Sequence, residues 1–227
     1  DFSLSLAVTD GNTDPSAILD ATDPIISVEV LDASSYRLNI KLDGSANGSE
    51  VFTLEPATSA IADAAGNLAT TLSAYQTDNS GFLHDTLPPY IIFTSVPLKD
   101  NSYIDVSFNE PVFKNSPPYN QPLEIGDFSL SLAVTDGNTD PSAILDANPI
   151  TSVERLDSSC CYRLNIKLDT SANGSEVFTL EPSGEGIADA AGNLATTISN
   201  LQTDNSGFLH DTLPPYIIFT SVPLKDN

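Results

Sequence analysis

Apolar and polar residues alternate along most of this chain, as in Tyr103-Ile104-Asp105-Val106-Ser107-Phe108 and Val177-Phe178-Thr179-Leu180-Glu181. A period of two sends successive side chains to opposite faces, the pattern of a strand with one face buried. A period of 3.6 is absent. Seven strands are predicted in order: Tyr90 to Leu98, Tyr103 to Val112, Phe128 to Val134, Ser152 to Leu156, Tyr162 to Leu168, Glu176 to Glu181 and Ala195 to Gln202. Turn-rich pieces such as Lys99-Asp100-Asn101-Ser102 and Ser171-Ala172-Asn173-Gly174 separate them, where Gly and Asn tolerate positive φ. Short strands at this spacing predict an all-β fold of immunoglobulin-like β-sandwich domains, although the Cys and Trp marks of antibody domains are missing.

The chain also repeats itself. The segment Asp1 to Ala21 recurs unchanged at Asp127 to Ala147, and Gln76 to Asn101 recurs at Gln202 to Asn227, a period of 126 residues. That is too long for a solenoid unit and suits an independently folding domain. We therefore expect tandem domains: a repeat lacking its first strands over 1–86, a complete repeat over 87–212, and the first strand of a following repeat over 213–227, with a longer array implied. The joint His84-Asp85-Thr86-Leu87-Pro88-Pro89-Tyr90 carries two consecutive prolines, which hold an extended, semi-rigid conformation. A lone first strand needs a host sheet, either in its own next domain or in a neighbouring chain.

Charge narrows the function. Against 31 Asp and Glu stand 8 Lys and Arg, a formal charge of −23 in 227 residues. Phosphate contacts require clustered cations, so nucleic acid is excluded as a partner. No apolar run reaches the roughly 18 to 20 residues of a membrane helix, so no membrane insertion is expected. Enzyme signatures are missing as well: there is one His per repeat, His84 and His210, and no nucleophile elbow, zinc-protease motif or phosphate loop.

In strands that run alternately up and down, the linker, the end of the second strand and the last loop share one pole. Asp85, Glu110 and Asp189 are therefore expected to converge, with Asp63 the counterpart of Asp189 in the first copy. Hard oxygen ligands between domains suit Ca²⁺, which takes six to eight oxygens. The plainer alternative is an Asx turn between Asp189 and Asn193 beside a solvated Glu110. The acidic loop Asp136 to Asp140, duplicated at Asp10 to Asp14, begins like a calcium loop but has Pro141 at the sixth position and Ala147 at the twelfth, so it reads as an ordinary hairpin loop. Asn47-Gly48-Ser49 and Asn173-Gly174-Ser175 are N-glycosylation tripeptides, and Asn-Gly is equally a favoured turn. Cys160-Cys161 replaces the Ser34-Ser35 region of the other copy with one residue added. The pair is open to a vicinal disulfide, a cross-link to another chain, or two thiols.

Three ordered elements carry a family resemblance: Asp85-Thr86-Leu87-Pro88-Pro89, then Ile104 to Val112 containing Phe108-Asn109-Glu110-Pro111-Val112, then Ile187-Ala188-Asp189-Ala190-Ala191-Gly192-Asn193. Together they resemble the bacterial Ig-like repeats of S-layer proteins and large surface adhesins. The resemblance spans the repeat and implies a sandwich fold and an extracellular or cell-surface, non-enzymatic role. The insertion Lys114 to Pro122 and the paired cysteines depart from it. The leading expectation is a self-associating structural repeat of a filament, stalk or surface layer. The alternative is an adhesin whose repeats bind surface glycans or a protein ligand.

Overall fold

The computed structural model describes residues 1–9, 18–69, 79–135, 144–156, 160–195 and 204–215. The chain divides into two compact units, Asp1–Leu87 and Pro88–Asn227. Both are built from antiparallel strands, and no α-helix occurs among the described residues.

In the second unit, β6 (Ile91–Ser95), β7 (Tyr103–Phe108), β10 (Leu145–Arg155) and β11 (Cys161–Leu168) form one sheet in the order β10-β11-β7-β6. A second sheet, β14-β12-β9, joins β14 (Ser206–Phe208), β12 (Glu176–Pro182) and β9 (Phe128–Val134). The short ladder of β8 (Phe113–Lys114) with β13 (Ile187–Ala188) completes the set. Ile104, Val106 and Phe108 of β7, Tyr162, Leu164 and Ile166 of β11, and Phe178 and Leu180 of β12 all point inward into one core. The two sheets thus face each other across shared apolar packing, as in a β-sandwich.

The alternation read from sequence governs this arrangement. Along β7 and over the first six residues of β11 every second residue is buried, and along β12 the inward set is Glu176, Phe178, Leu180 and Pro182. Several elements depart from the expected strands: β6 covers only Ile91–Ser95 of Tyr90 to Leu98, β7 ends at Phe108 rather than Val112, and β8 and β13 fall outside every expected strand. β10 begins at Leu145 rather than Ser152, because irregular register between Leu145 and Ser152 accommodates Asn148-Pro149 within the ladder. The seventh predicted strand, Ala195 to Gln202, lies outside the described residues from 196 onward. The strand that pairs with β12 on that side is Ser206-Gly207-Phe208, where a Cβ on Gly207 would stand 2.9 Å from the Phe178 ring.

Tyr162 is fully buried and donates its hydroxyl to the Val112 carbonyl at 2.8 Å. Burial pushes its phenol up to about 12. The unfolded chain loses that proton near pH 10 while the fold retains it, so stability falls as pH rises from about 10 to about 12, by up to about 2.7 kcal/mol. We expect Tyr162→Phe to abolish this alkaline slope in denaturant titrations run at successive pH values.

The first unit repeats the design in part. Its strands are β1 (Phe2–Val8), β2 (Ile25–Val30), β3 (Tyr36–Ile40), β4 (Glu50–Pro56) and β5 (Ser80–Phe82), arranged as β1-β4-β5 and β2-β3. Ser27 pairs with Asn39 as Ser152 pairs with Asn165, one residue out of the 126-residue period. The offset agrees with the residue added in the Cys160-Cys161 region, and Cys161 is the first residue of β11.

Candidate functional site

The turn Asp189-Ala190-Ala191-Gly192-Asn193 follows β13. Asp189 is buried, and its two carboxylate oxygens accept the Asn193 backbone N–H at 2.8 Å and its side-chain amide at 2.7 Å. Gly192 sits at φ +92, with Tyr119 of the insertion packed so closely that a Cβ would meet its ring at 3.1 Å. The same turn in the first unit, Asp63 to Asn67, makes matching bonds, with Asp63 accepting from the Asn67 backbone at 2.8 Å and the Asn67 side chain at 2.8 Å. There Asp63 is exposed, and the Asn67 amide holds its carboxyl below the usual carboxylate range.

Glu110 follows β7 and is half-buried. Its Oε1 accepts the Asn109 side-chain amide at 3.0 Å, while Asn109 fixes the entry to β6 by accepting the Tyr90 N–H at 2.7 Å. Carboxylate oxygens of Glu110 and Asp189 lie within 4.8 Å of one another. Two carboxylates this close repel unless a cation or a proton intervenes. Each oxygen has two lone pairs, so the bonds to Asn109 and Asn193 leave acceptor capacity for a hard cation. Asp85 belongs to the first unit, where its Oδ1 accepts the Leu87 N–H at 3.0 Å. The Asp10 to Asp14 and Asp136 to Asp140 loops lie outside the described residues.

The Asn-Gly-Ser turns have a structural role in each unit. Asn47 Oδ1 accepts the Ser49 N–H at 2.9 Å and its hydroxyl at 2.6 Å, and Asn173 does the same with Ser175. Both asparagines are half-buried. The glycine of each turn has positive φ, +80 at Gly48 and +83 at Gly174, and abuts an aspartate of the exit segment: a Cβ there would stand 3.3 Å from Asp85 or Asp211. The preceding carbonyl completes the anchorage, since Ala46 accepts the Thr86 N–H at 2.8 Å and Ala172 accepts the Thr212 N–H at 2.8 Å.

Two features of these anchors escape sequence reading. Glu50 and Glu176 are fully buried at the first position of their strands. Their carboxylates accept the backbone N–H of Asn47 at 3.1 Å and of Asn173 at 3.0 Å, and Glu176 also accepts that of Gly174 at 2.9 Å. An acceptor three residues beyond a turn asparagine, present in both copies as Asn-Gly-Ser-Glu, is the available signal. The second feature is a clip between the two ends of the second unit. Asn101 donates to the His210 carbonyl at 2.9 Å and accepts the His210 N–H at 2.8 Å, while the His210 ring bonds the Val96 carbonyl at 2.8 Å.

Cys160 and Cys161 are half-buried thiols with sulfurs 3.2 Å apart, and Cys161 lies opposite Ser107 in the β11–β7 ladder. No helix among the described residues is long and apolar enough to cross a membrane. No known protein family, curated protein or solved structure matches the chain.

Proposed function

We propose that the chain is a structural repeat module: tandem immunoglobulin-like domains that stack into an extracellular filament, stalk or surface layer. The observation that carries this reading is the duplicated exit. In both units the residues leaving the domain are pinned to their own Asn-Gly-Ser turn, through Thr86 to Ala46 and Thr212 to Ala172, and the Asp-Thr-Leu-Pro-Pro sequence follows without change. Equal exits followed by stiff proline pairs give equal joints, and equal joints give a regular rod. The dense negative charge keeps such a polymer soluble and favours cations.

Calcium is the proposed ligand of the Glu110 and Asp189 carboxylates; the remaining oxygens of its shell would come from carbonyls and water. A ligand that binds only the folded state stabilises it by about 2.7 kcal/mol at a hundredfold excess over its dissociation constant. Melting in calcium should therefore occur at higher temperature than in chelator, and Glu110→Gln should erase the difference. Asp189→Asn is the poorer variant, since it also disrupts the bonds to Asn193. Small-angle scattering on chains of increasing repeat number tests the rod itself. A maximum dimension that grows linearly with repeat number supports the reading, and one that grows as a flexible coil rejects it.

A further inference from the structure

The second unit carries thiol chemistry that the first lacks, at Cys160-Cys161. The β2–β3 and β10–β11 hairpins close alike: the Ser35 carbonyl accepts the Leu31 N–H at 2.9 Å, and the Cys161 carbonyl accepts the Leu156 N–H at 3.0 Å. Ser34-Ser35 serves one turn and Cys160-Cys161 the other, so the fold itself has no need of sulfur there. Successive side chains of a strand point to opposite faces, which parts neighbouring sulfurs. Here Cys160 stands just ahead of β11, Cys161 is its first residue, and the two sulfurs meet at 3.2 Å. Both residues are half-buried, and Cys161 Sγ lies 3.6 Å from the Ser107 hydroxyl. The Cys160 carbonyl has a second duty, since it accepts the N–H of Phe108, the last residue of β7, at 2.9 Å.

We propose that Cys160 and Cys161 form a reversible thiol–disulfide switch, closed by exchange with a low-molecular-weight disulfide, RS–SR. One cysteine thiolate attacks a sulfur of RS–SR and expels RS⁻; the other attacks the cysteine sulfur of that mixed disulfide, forms the Cys160–Cys161 bond and expels the second RS⁻. The two cysteine thiols give up two electrons and two protons, and RS–SR becomes two RSH. The second attack joins atoms already 3.2 Å apart, which favours it over capture by another chain. As a staple the bond is poor. It links neighbours, so it closes no loop of the unfolded chain. Adjacent Cα atoms stand about 3.8 Å apart, short of the roughly 4.4 to 6.8 Å of ordinary disulfides, and the resulting strain makes the bond easy to reduce. The new ring runs through the Cys160–Cys161 peptide, so closing it turns the Cys160 carbonyl away from the Phe108 N–H. The Cys161 carbonyl lies outside the ring and keeps its bond to Leu156. Oxidation therefore releases the end of β7, and with it Asn109, which accepts the Tyr90 N–H at 2.7 Å at the entry to β6.

The switch is independent of the filament reading. Its test incubates the full reduced chain with excess hydroxyethyl disulfide, a neutral probe that a chain of charge −23 does not repel, and follows intact mass and amide exchange. The expected product is a monomer lighter by two hydrogens with no titratable thiol. In it Phe108 exchanges about tenfold faster than in the reduced chain while Leu156 is unchanged, and dithiothreitol restores both thiols and the slow exchange. Cys160→Ser and Cys161→Ser each install the residue that the other copy carries at this turn, so folding is retained. Each variant should stop at the mixed disulfide, heavier by the bound thiol, with Phe108 still slow. Thiols of the unsubstituted chain that stay free under excess probe overturn the proposal, as does a chain that halts at the mixed disulfide or links into dimers. Oxidation that leaves Phe108 as slow as before also overturns it, since the bond would then act on nothing in the sheet.

Discussion

Leu164→Ala is expected to destabilise the second unit by about 2 to 5 kcal/mol, whereas Leu38→Ala, the same change at the same place in the repeat, should cost the first unit only about 1 kcal/mol. Leu164 is wholly buried between Ile104 across the ladder and Phe178 and Leu180 of the facing sheet, so truncation removes its transfer energy and leaves a cavity. Leu38 lines an open groove, where water already reaches part of the side chain and no closed void can form. Two unfolding transitions are expected in denaturant, the first unit melting earlier, and each substitution should move only its own transition. Amide exchange resolved by residue assigns the transitions. Equal shifts from the two substitutions would show that the first unit is closed in solution.

The repeat comparison sets β1 on β9, β3 on β11 and β4 on β12, so these strands are legible in pairs. The alternating residues of β7, β9, β11 and β12 announce their strands, and the inserted cysteine announces itself as an offset between copies. The remainder is hidden for physical reasons. β10 contains Asn148-Pro149 in its first half, and a proline removes a ladder donor, so local pattern stops short of where the pairing begins. β14 is only Ser-Gly-Phe, and its strand character comes from Phe178 packing over Gly207 rather than from its own residues. The Asn101 to His210 clip joins residues 109 positions apart, and no local pattern encodes a contact at that range. At the acidic site, the turn from Asp189 to Asn193 is local and its Asp-x-x-Gly-Asn spacing is readable. The burial of Asp189 is not, since the identical turn in the first unit leaves its counterpart Asp63 exposed.

Glu176→Ala should destabilise the second unit by about 3 to 5 kcal/mol, and here the first unit should respond alike to Glu50→Ala. Glu176 stands on the inward face of β12, where alternation would place an apolar residue, and its bonds to the Asn173 and Gly174 N–H groups compensate its burial. Alanine leaves those donors without an acceptor and a cavity beside Phe178's strand, each a separate penalty. Glu50 makes the corresponding bond to Asn47 in a site equally shut from solvent, so the openness that spares Leu38 gives no relief. Glu176→Gln retains one carbonyl acceptor and should fall between wild type and alanine. The consequence reaches the joint, because the turn that Glu176 braces also presents the Ala172 carbonyl to Thr212 and the Gly174 Cα to Asp211. Exchange at Thr212 should therefore accelerate in Glu176→Ala by more than global destabilisation requires, under conditions where the β11 amides remain protected. Should Thr212 and the β11 amides accelerate together, the exit would be held by the domain as a whole, and the glutamate would have no special hold on the linker.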